Sequence, residues 1–339
     1  MTACIPQSAR RLFVSAALAA CVGFAALAQA QQKPSGLPGN YPAKPVRVII
    51  SSTPGGGADF LGRLIFGKLG EQWSTHFNSE NIATGVGGIL AMEITMKAPA
   101  DGYTLLVSSS SSYINAAFAA PVTWDVRKAL TPISPMTLST LAVGAATGQA
   151  YGNLKELIAY AKAHPGELSY GVPGIGSSPH LNGELMQHIA GFKMTVIPYK
   201  GTGQAIIDTL AGRLPVLIGS VTALTPHVRS GKIKLIGVTS SGRVPSAPEF
   251  ITLNEAGLPG YDYAGWFGIV GPGNMPASLV NALNQGITRV INLPEIQAAL
   301  LKNGSDPMTS TPEQFRATIL AGLDKTGTVL KATGLKLSE

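Results

Sequence analysis

The order of elements predicts an α/β fold in two compact lobes, each a doubly wound sheet with helices on both faces. Three observations carry this. Short β-branched or aliphatic runs alternate with helix-period runs along most of the chain. Most strand-like runs end in glycine, serine, threonine or proline just before a helix begins. The 339 residues, 45% of them hydrophobic, suffice for two separate cores.

The elements follow in order. Residues 31–40 are a Pro/Gly/Ser-containing lead-in. A strand is expected over 46–50, bounded by Pro45 and Pro54, and Pro54-Gly55-Gly56-Gly57 breaks it. The next helix is marked by Phe60 and Leu64, and by Leu61, Ile65 and Leu69, at helical spacing. Residues 104–107 form a strand that runs into the serines 108–112. Helix 153–163 stops before His164-Pro165-Gly166, and strand 168–172 leads through Pro173-Gly174-Ile175-Gly176-Ser177-Ser178 to a helix carrying Leu181, Leu185 and Ile189 on one face. Strand 194–197, the turn Pro198-Tyr199-Lys200-Gly201 and helix 204–210 repeat the pattern. Strands 214–218 and 233–239 follow, and long amphipathic helices over 277–291 and 312–330 close the chain.

The first 30 residues read as an address. Arg10 and Arg11 precede the apolar run 12–27, and Ala28-Gln29-Ala30 supplies a small-x-small cleavage pattern, so a signal peptide over 1–30 and export to the periplasm are expected. Leu18-Ala19-Ala20-Cys21 also fits a lipoprotein box, which would lipidate Cys21 but leave an apolar stub behind. Arg10-Arg11-Leu12-Phe13 brushes the twin-arginine pattern, which ordinary signals share. No other stretch approaches the ~20 apolar residues of a membrane span.

Composition narrows the function. Cys4 and Cys21 are the two cysteines, both within this address, so the remaining chain has no disulfide, thiol nucleophile or cysteine metal ligand. Charged residues are 13%, about half the usual share. The formal net charge is +7, and it stays positive without Arg10 and Arg11. Its basic residues are scattered with no aromatic stripe, which argues against nucleic acid and suits an anionic ligand.

In doubly wound sheets the ligand crevice lies beyond the carboxyl ends of the strands. Helix N-termini there offer unpaired N–H groups, glycine admits a ligand to the backbone, and hydroxyls add hydrogen bonds. An anion can be held without arginine. The loops of this kind supply Ser52, Thr53, Gly55, Gly56 and Asp59; Gly174, Gly176, Ser177, Ser178 and His180; and Tyr199, Lys200, Gly201 and Thr202. Gly87, the pair Ser109 and Ser110, and Ser220 complete the expected ligand contacts. Each loop also has a plainer reading as an ordinary capped turn. Asp59 either faces the ligand or supports its helix, the serine run lines the crevice or is solvated, and His180 donates to a carboxylate or pins its loop. Trp266 and Phe267 read as core residues or as a floor beneath the ligand.

Several enzyme-like patterns fail. Gly62 to Leu69 imitates a phosphate-binding loop, but Leu69 replaces the required hydroxyl and the segment lies within a helix. Gly171 to Gly176 lacks the dinucleotide spacing, and no G-x-S-x-G elbow is present. His180, Glu184 and His188 share one helix face but lack the H-E-x-x-H spacing and further ligands. No cofactor and no metal are expected.

The residues resemble a known family. Tyr41-Pro42 with Pro45, Pro54-Gly55-Gly56 with Asp59, Glu80-Asn81, Gly87-Gly88 and Asp101-Gly102-Tyr103-Thr104-Leu105-Leu106 are similar to the Bug-type solute receptors of tripartite tricarboxylate transporters. So are Gly174-Ile175-Gly176-Ser177 with His180, Pro198-Tyr199-Lys200-Gly201, Gly231-Lys232, Val238-Thr239-Ser240, Glu255-Ala256-Gly257 and Pro272 with Pro276. The resemblance implies a periplasmic-binding-protein type II fold, a Venus flytrap of two lobes joined by a hinge. Lobe one would be 31–140 plus 262–339 and lobe two 141–261, with hinges near 138–144 and 261–266. It also implies capture of a small organic carboxylate (di- or tricarboxylate or aromatic acid) and delivery to a two-component membrane permease, without catalysis. Two departures fall in the contact zone. Ser51-Ser52 stands where the family usually has Pro-Phe, and the 80–88 loop is longer and lacks its proline. The readings that compete with uptake are a receptor that signals to another protein and a secreted α/β hydrolase.

Overall fold

The computed structural model describes residues 37–52, 54–82, 88–199 and 201–337. Expectations about the leader, Cys21, Thr53, Gly87 and Lys200 lie outside the described residues. The first part of the chain runs β1 (Val46–Ile50), α1 (Gly57–Trp73), β2 (Phe77–Asn81), α2 (Ile89–Met96), β3 (Thr104–Ser109), α3 (Ser110–Phe118), α4 (Val126–Ala129) and β4 (Leu130–Ser139). The middle runs β5 (Leu141–Ala146), α5 (Leu154–Ala163), β6 (Ser169–Val172), α6 (Ser178–Ala190), β7 (Thr195–Pro198), α7 (Thr202–Leu210), β8 (Val216–Ser220), α8 (Val221–Arg229) and β9 (Ile233–Val238). The last part is β10 (Gly265–Pro272), α9 (Ala277–Ile291), α10 (Pro294–Lys302), β11 (Asp306–Pro307) and α11 (Pro312–Thr333).

Two sheets result. One has the order β11-β4-β10-β3-β1-β2, the other β7-β6-β8-β5-β9. The βα repeats build parallel pairs, β1 with β2 and β3 in the first sheet and β6 with β7 and β8 in the second. The sheets are nevertheless mixed, whereas alternating strands and helices alone would build parallel ones. β10 lies antiparallel to β3 and β4, and β5 lies antiparallel to β8 and β9. The reason is topological. β5 and β10 are the strands on which the chain arrives from the other sheet, so each enters at the end where the βα strands finish. The registers show it: Leu141 at the start of β5 pairs with Ser220 at the end of β8, and Gly265 at the start of β10 pairs with Ser139 at the end of β4.

These crossing strands were hidden by their composition. β4 carries Pro132 and Pro135, residues that demote a strand unless the ladder is irregular. Both prolines fall beside register shifts in the β10–β4 pairing. In β10, glycines make room. A Cβ on Gly268 would lie 2.3 Å from the Phe315 ring of α11, and one on Gly265 would lie 2.4 Å from Ser110 Oγ. β2, Phe77-Asn78-Ser79-Glu80-Asn81, is a polar edge strand with no buried face to signal it.

The buried apolar side chains run continuously from one sheet to the other. Ile49 and Leu106 of the first sheet and Val143 and Tyr170 of the second belong to one cluster, joined by Trp266 and by Phe315 of α11. α11 packs on β4 and α3 and also on α6, so it straddles the crossing. Two hydrogen bonds also tie the last part of the chain to the middle: Thr222 Oγ1 donates to the Gly304 carbonyl (2.8 Å), and the Ser246 N–H donates to Asp306 Oδ1 (2.7 Å). No helix of the described residues is long and apolar enough to cross a membrane.

Candidate functional site

Loops from the carboxyl ends of the first sheet converge. The Ser51 hydroxyl and N–H both donate to the Val107 carbonyl, fixing the loop after β1 against β3. A Cβ on Gly88 would lie 3.0 Å from both Ser51 Cβ and Ser112 Oγ, so Gly88 sits between the other two loops. Ser109 ends β3 and caps α3 by accepting from the Ser112 N–H, and Ser110 opens that helix. The serine run is thus the end of a strand and the start of a helix, not a loop.

Asp59 is directed at its own loop. Its Oδ2 accepts from the Gly55 N–H (2.9 Å), and its Oδ1 accepts from Arg63 Nε (2.7 Å) and Asn81 Nδ2 (2.9 Å). Asn81 Nδ2 also donates to the Ser52 carbonyl (3.0 Å). Burial alone raises this carboxyl's pKa, but the hydrogen bonds from Gly55, Asn81 and Arg63 outweigh it and hold the group below the usual carboxylate value. The negative charge is therefore spent on shaping the loop of Ser52, Gly55 and Gly56.

The second sheet shows the same economy. Ser177 caps α6, donating to the Gly174 carbonyl (2.6 Å) and accepting from the His180 N–H (3.4 Å). His180 is 1% exposed, and its Nδ1 accepts from the Gly176 N–H (2.9 Å), which makes Nε2 the protonated nitrogen. Its pKa is lowered by burial, with Glu184 opposing. Through Nδ1, His180 pins the loop. Tyr199 donates to Asp208 Oδ2 (3.0 Å), Thr202 lies against Gly219, and Ser220 caps α8 through the Ala223 N–H (3.2 Å).

Two classes of helix start emerge. Ser109, Ser177 and Ser220 cap their helices with their own side chains. Gly56, Gly88 and Gly201 precede α1, α2 and α7 and offer no side-chain cap, so among the described residues the N-cap side chain takes up none of the first amides of those helices. Amides of this kind suit anion binding.

One cavity of about 270 Å³ joins the two halves. Ser110 from the first half and Ser178 from the middle both line it, together with Trp266 of β10 and Ile319 and Leu323 of α11. Ser52, Gly55, Gly56, Gly174, Gly176, Tyr199, Gly201 and Thr202 stand on their loops outside its lining. Sequence reasoning missed the α11 wall, because the segment 312–330 shows only the apolar periodicity of an amphipathic helix, which does not tell a cavity wall from a core face. Among the described residues, no group of His, Cys, Asp or Glu is arranged to hold a metal ion. Glu184, once a conceivable ligand beside His180, accepts instead from the Tyr170 hydroxyl (2.8 Å).

The sequence and the fold both have relatives. A sequence model described as tripartite tricarboxylate transporter family receptor matches residues 69–335. The protein BugT of Bordetella pertussis is 31% identical over 299 residues, which are 88% of this chain and 91% of BugT. Among solved structures, Rpa4515 of R. palustris with adipate superposes with a TM-score of 0.74 at 28% identity, covering 88% of this chain and all of that one. A structure described as a periplasmic transporter gives a TM-score of 0.73 at 27% identity, over 88% of this chain and 99% of that one. The two mixed sheets joined by crossing strands form the type II periplasmic-binding-protein fold, and the chain belongs to the tripartite tricarboxylate transporter receptor family.

Proposed function

We propose that this chain is a periplasmic substrate-binding protein that holds a small organic carboxylate between two lobes and hands it to a tripartite tricarboxylate-type membrane permease. Residues 1–30 serve as its signal peptide. Residues 31–140 with 262–339 form lobe one, and 141–261 form lobe two. The single observation that carries the reading is the meeting of strand ends from both sheets at the crossing, where a serine from each half lines one cavity. The adipate held by a relative of 28% identity is consistent with a carboxylate ligand.

Binding rather than turnover fits the chemistry of the loops. Ser109, Ser177 and Ser220 are engaged as helix caps, and His180 accepts from a backbone amide instead of activating a hydroxyl. The ligand meets the Ser110 and Ser178 hydroxyls, one from each half, and the backbone amides of the glycine-capped helices on the surrounding loops complete the site when the lobes close. Closure follows because contacts from both lobes favour the closed state.

The test is thermal-shift screening of the purified protein against a carboxylate library, with Gly201→Val as the control variant. Gly201 has φ 170°, an extended conformation open to valine, and no atom lies within 4 Å of an added Cβ. Valine there obstructs approach to the α7 amides without straining the backbone. A carboxylate is expected to raise the melting temperature of the parent and not of the variant, whose own melting temperature is unchanged. A library with no stabilising carboxylate would end the reading.

A further inference from the structure

The cavity beside the crossing carries information about the ligand that the loops alone do not. Its walls are mainly apolar, with Tyr113, Trp266, Ile319 and Leu323 among the side chains that form them. Two charged residues line it, Asp262 and Lys325, and they are paired with each other: Lys325 Nζ donates to the Asp262 carbonyl and lies 3.4 Å from Oδ2. The wall therefore presents no unspent positive charge.

The hydroxyls that enter the cavity are placed at helix starts. Ser110 and Ser178 are the first residues of α3 and α6. Ser110 Oγ accepts from the Trp266 N–H (3.3 Å), and Ser178 Oγ accepts from Asn182 Nδ2 (3.5 Å). Among the described residues neither hydroxyl has an acceptor, so both retain a proton to donate. Of the other wall hydroxyls, those of Thr318, Thr326 and Tyr263 are occupied, whereas the buried Tyr113 hydroxyl has no partner among the described residues. Thr318 donates to the Gln314 carbonyl, and Thr326 and Tyr263 bond each other at 2.6 Å.

Gly322 adds an independent sign. It lies inside the 22-residue helix α11, where glycine is a poor choice for the backbone. No atom lies within 4 Å of a Cβ built on it, so packing does not require its absence. Glycine at this position keeps the cavity open.

We propose that this cavity receives the apolar body of a monocarboxylate, an aryl or branched-chain acid, while its single carboxylate meets the Ser110 and Ser178 hydroxyls. This rests on the carboxylate-receptor reading above and narrows its ligand class. The volume is suitable: an apolar cavity of about 150 Å³ holds benzene, so 270 Å³ accepts a ring with a short acid arm. A second carboxylate would enter an apolar wall with no free cation, which is costly. Gly322 and Ala264, both on the wall, then set the size limit.

The experiment is titration calorimetry of the purified protein with phenylacetate, 4-methylpentanoate, malate and citrate. Phenylacetate or 4-methylpentanoate is expected to bind at least tenfold more tightly than malate or citrate. Gly322→Leu and Ala264→Leu, each checked for an intact melt, are expected to weaken the tighter of the two apolar acids at least tenfold. Tighter binding of malate or citrate, or unchanged affinity in both folded variants, overturns the apolar-body assignment and leaves the carboxylate receptor standing. Absence of binding by all four acids, together with a silent carboxylate library, overturns the receptor reading itself.

Discussion

Asp59 and His180 do the same job on opposite sheets, each in the first turn of a helix and bonded back to a glycine N–H in the loop before it. Both have folded-state pKa values below their ordinary ones, so the sign of the linkage is the same. Each group binds fewer protons folded than unfolded, and its stabilisation is complete above the unfolded pKa and drains away as pH falls towards the folded one. For His180 the window opens near pH 6.5, within reach of ordinary buffers. Protonated, its Nδ1 can no longer accept from Gly176. His180→Gln is expected to cost about 1 kcal/mol in urea unfolding at pH 7.5, and the gap to the parent should narrow at pH 5.5. For Asp59 the window lies lower, beginning near pH 4. Asp59→Asn is expected to cost about 1–2 kcal/mol at pH 7, with a difference that shrinks as the acid limb is approached. A constant difference across pH, in either variant, would place the loop's support elsewhere.

At the scale of elements, α11 is the part whose sequence and role diverge most. Its apolar residues Phe315, Ile319 and Leu323 pack inward, yet its exposed Gly322 stands at a cavity mouth. Gly322→Ala removes the entropy cost of a helical glycine and meets no neighbour. It is expected to stabilise the protein by about 0.5–1 kcal/mol, seen as a higher melting temperature in thermal unfolding followed by circular dichroism. A lower one would mean that α11 needs the glycine for a bend. The βα loops were legible in the sequence because their Gly/Ser composition and their place after a β-branched run share one physical cause. β4, β5 and β10 were not. Pro132 and Pro135 disguise β4, and Gly265, Gly268 and Gly271 disguise β10. What makes these segments strands is pairing with distant partners, and no local pattern records that. The cavity was hidden for a related reason. Its lining comes from Ser110, Ser178, Trp266 and α11, which are brought together by the crossing and by no motif.

For the molecule as a whole, the question is whether two sheets on either side of a crossing behave as one body or two when unfolded. Three features couple them: one apolar cluster that runs through Trp266 and α11, the Thr222–Gly304 hydrogen bond, and the Ser246–Asp306 bonds. α11 itself packs on β4 and α3 at one side and on α6 at the other. A chain so connected should lose both sheets together, since unfolding either one exposes the apolar residues they share. The placement of tryptophan makes this measurable without labels. Trp73, Trp124 and Trp266 are the three tryptophans of the chain, and none falls between β5 and β9. Their fluorescence follows the first sheet and the crossing, whereas far-ultraviolet circular dichroism follows every helix and strand. The two signals are expected to give coincident urea transitions with the same midpoint. A dichroism transition that begins earlier or ends later than the fluorescence one would show that the second sheet unfolds on its own, and that the shared cluster and α11 do not bind the halves into a single cooperative unit.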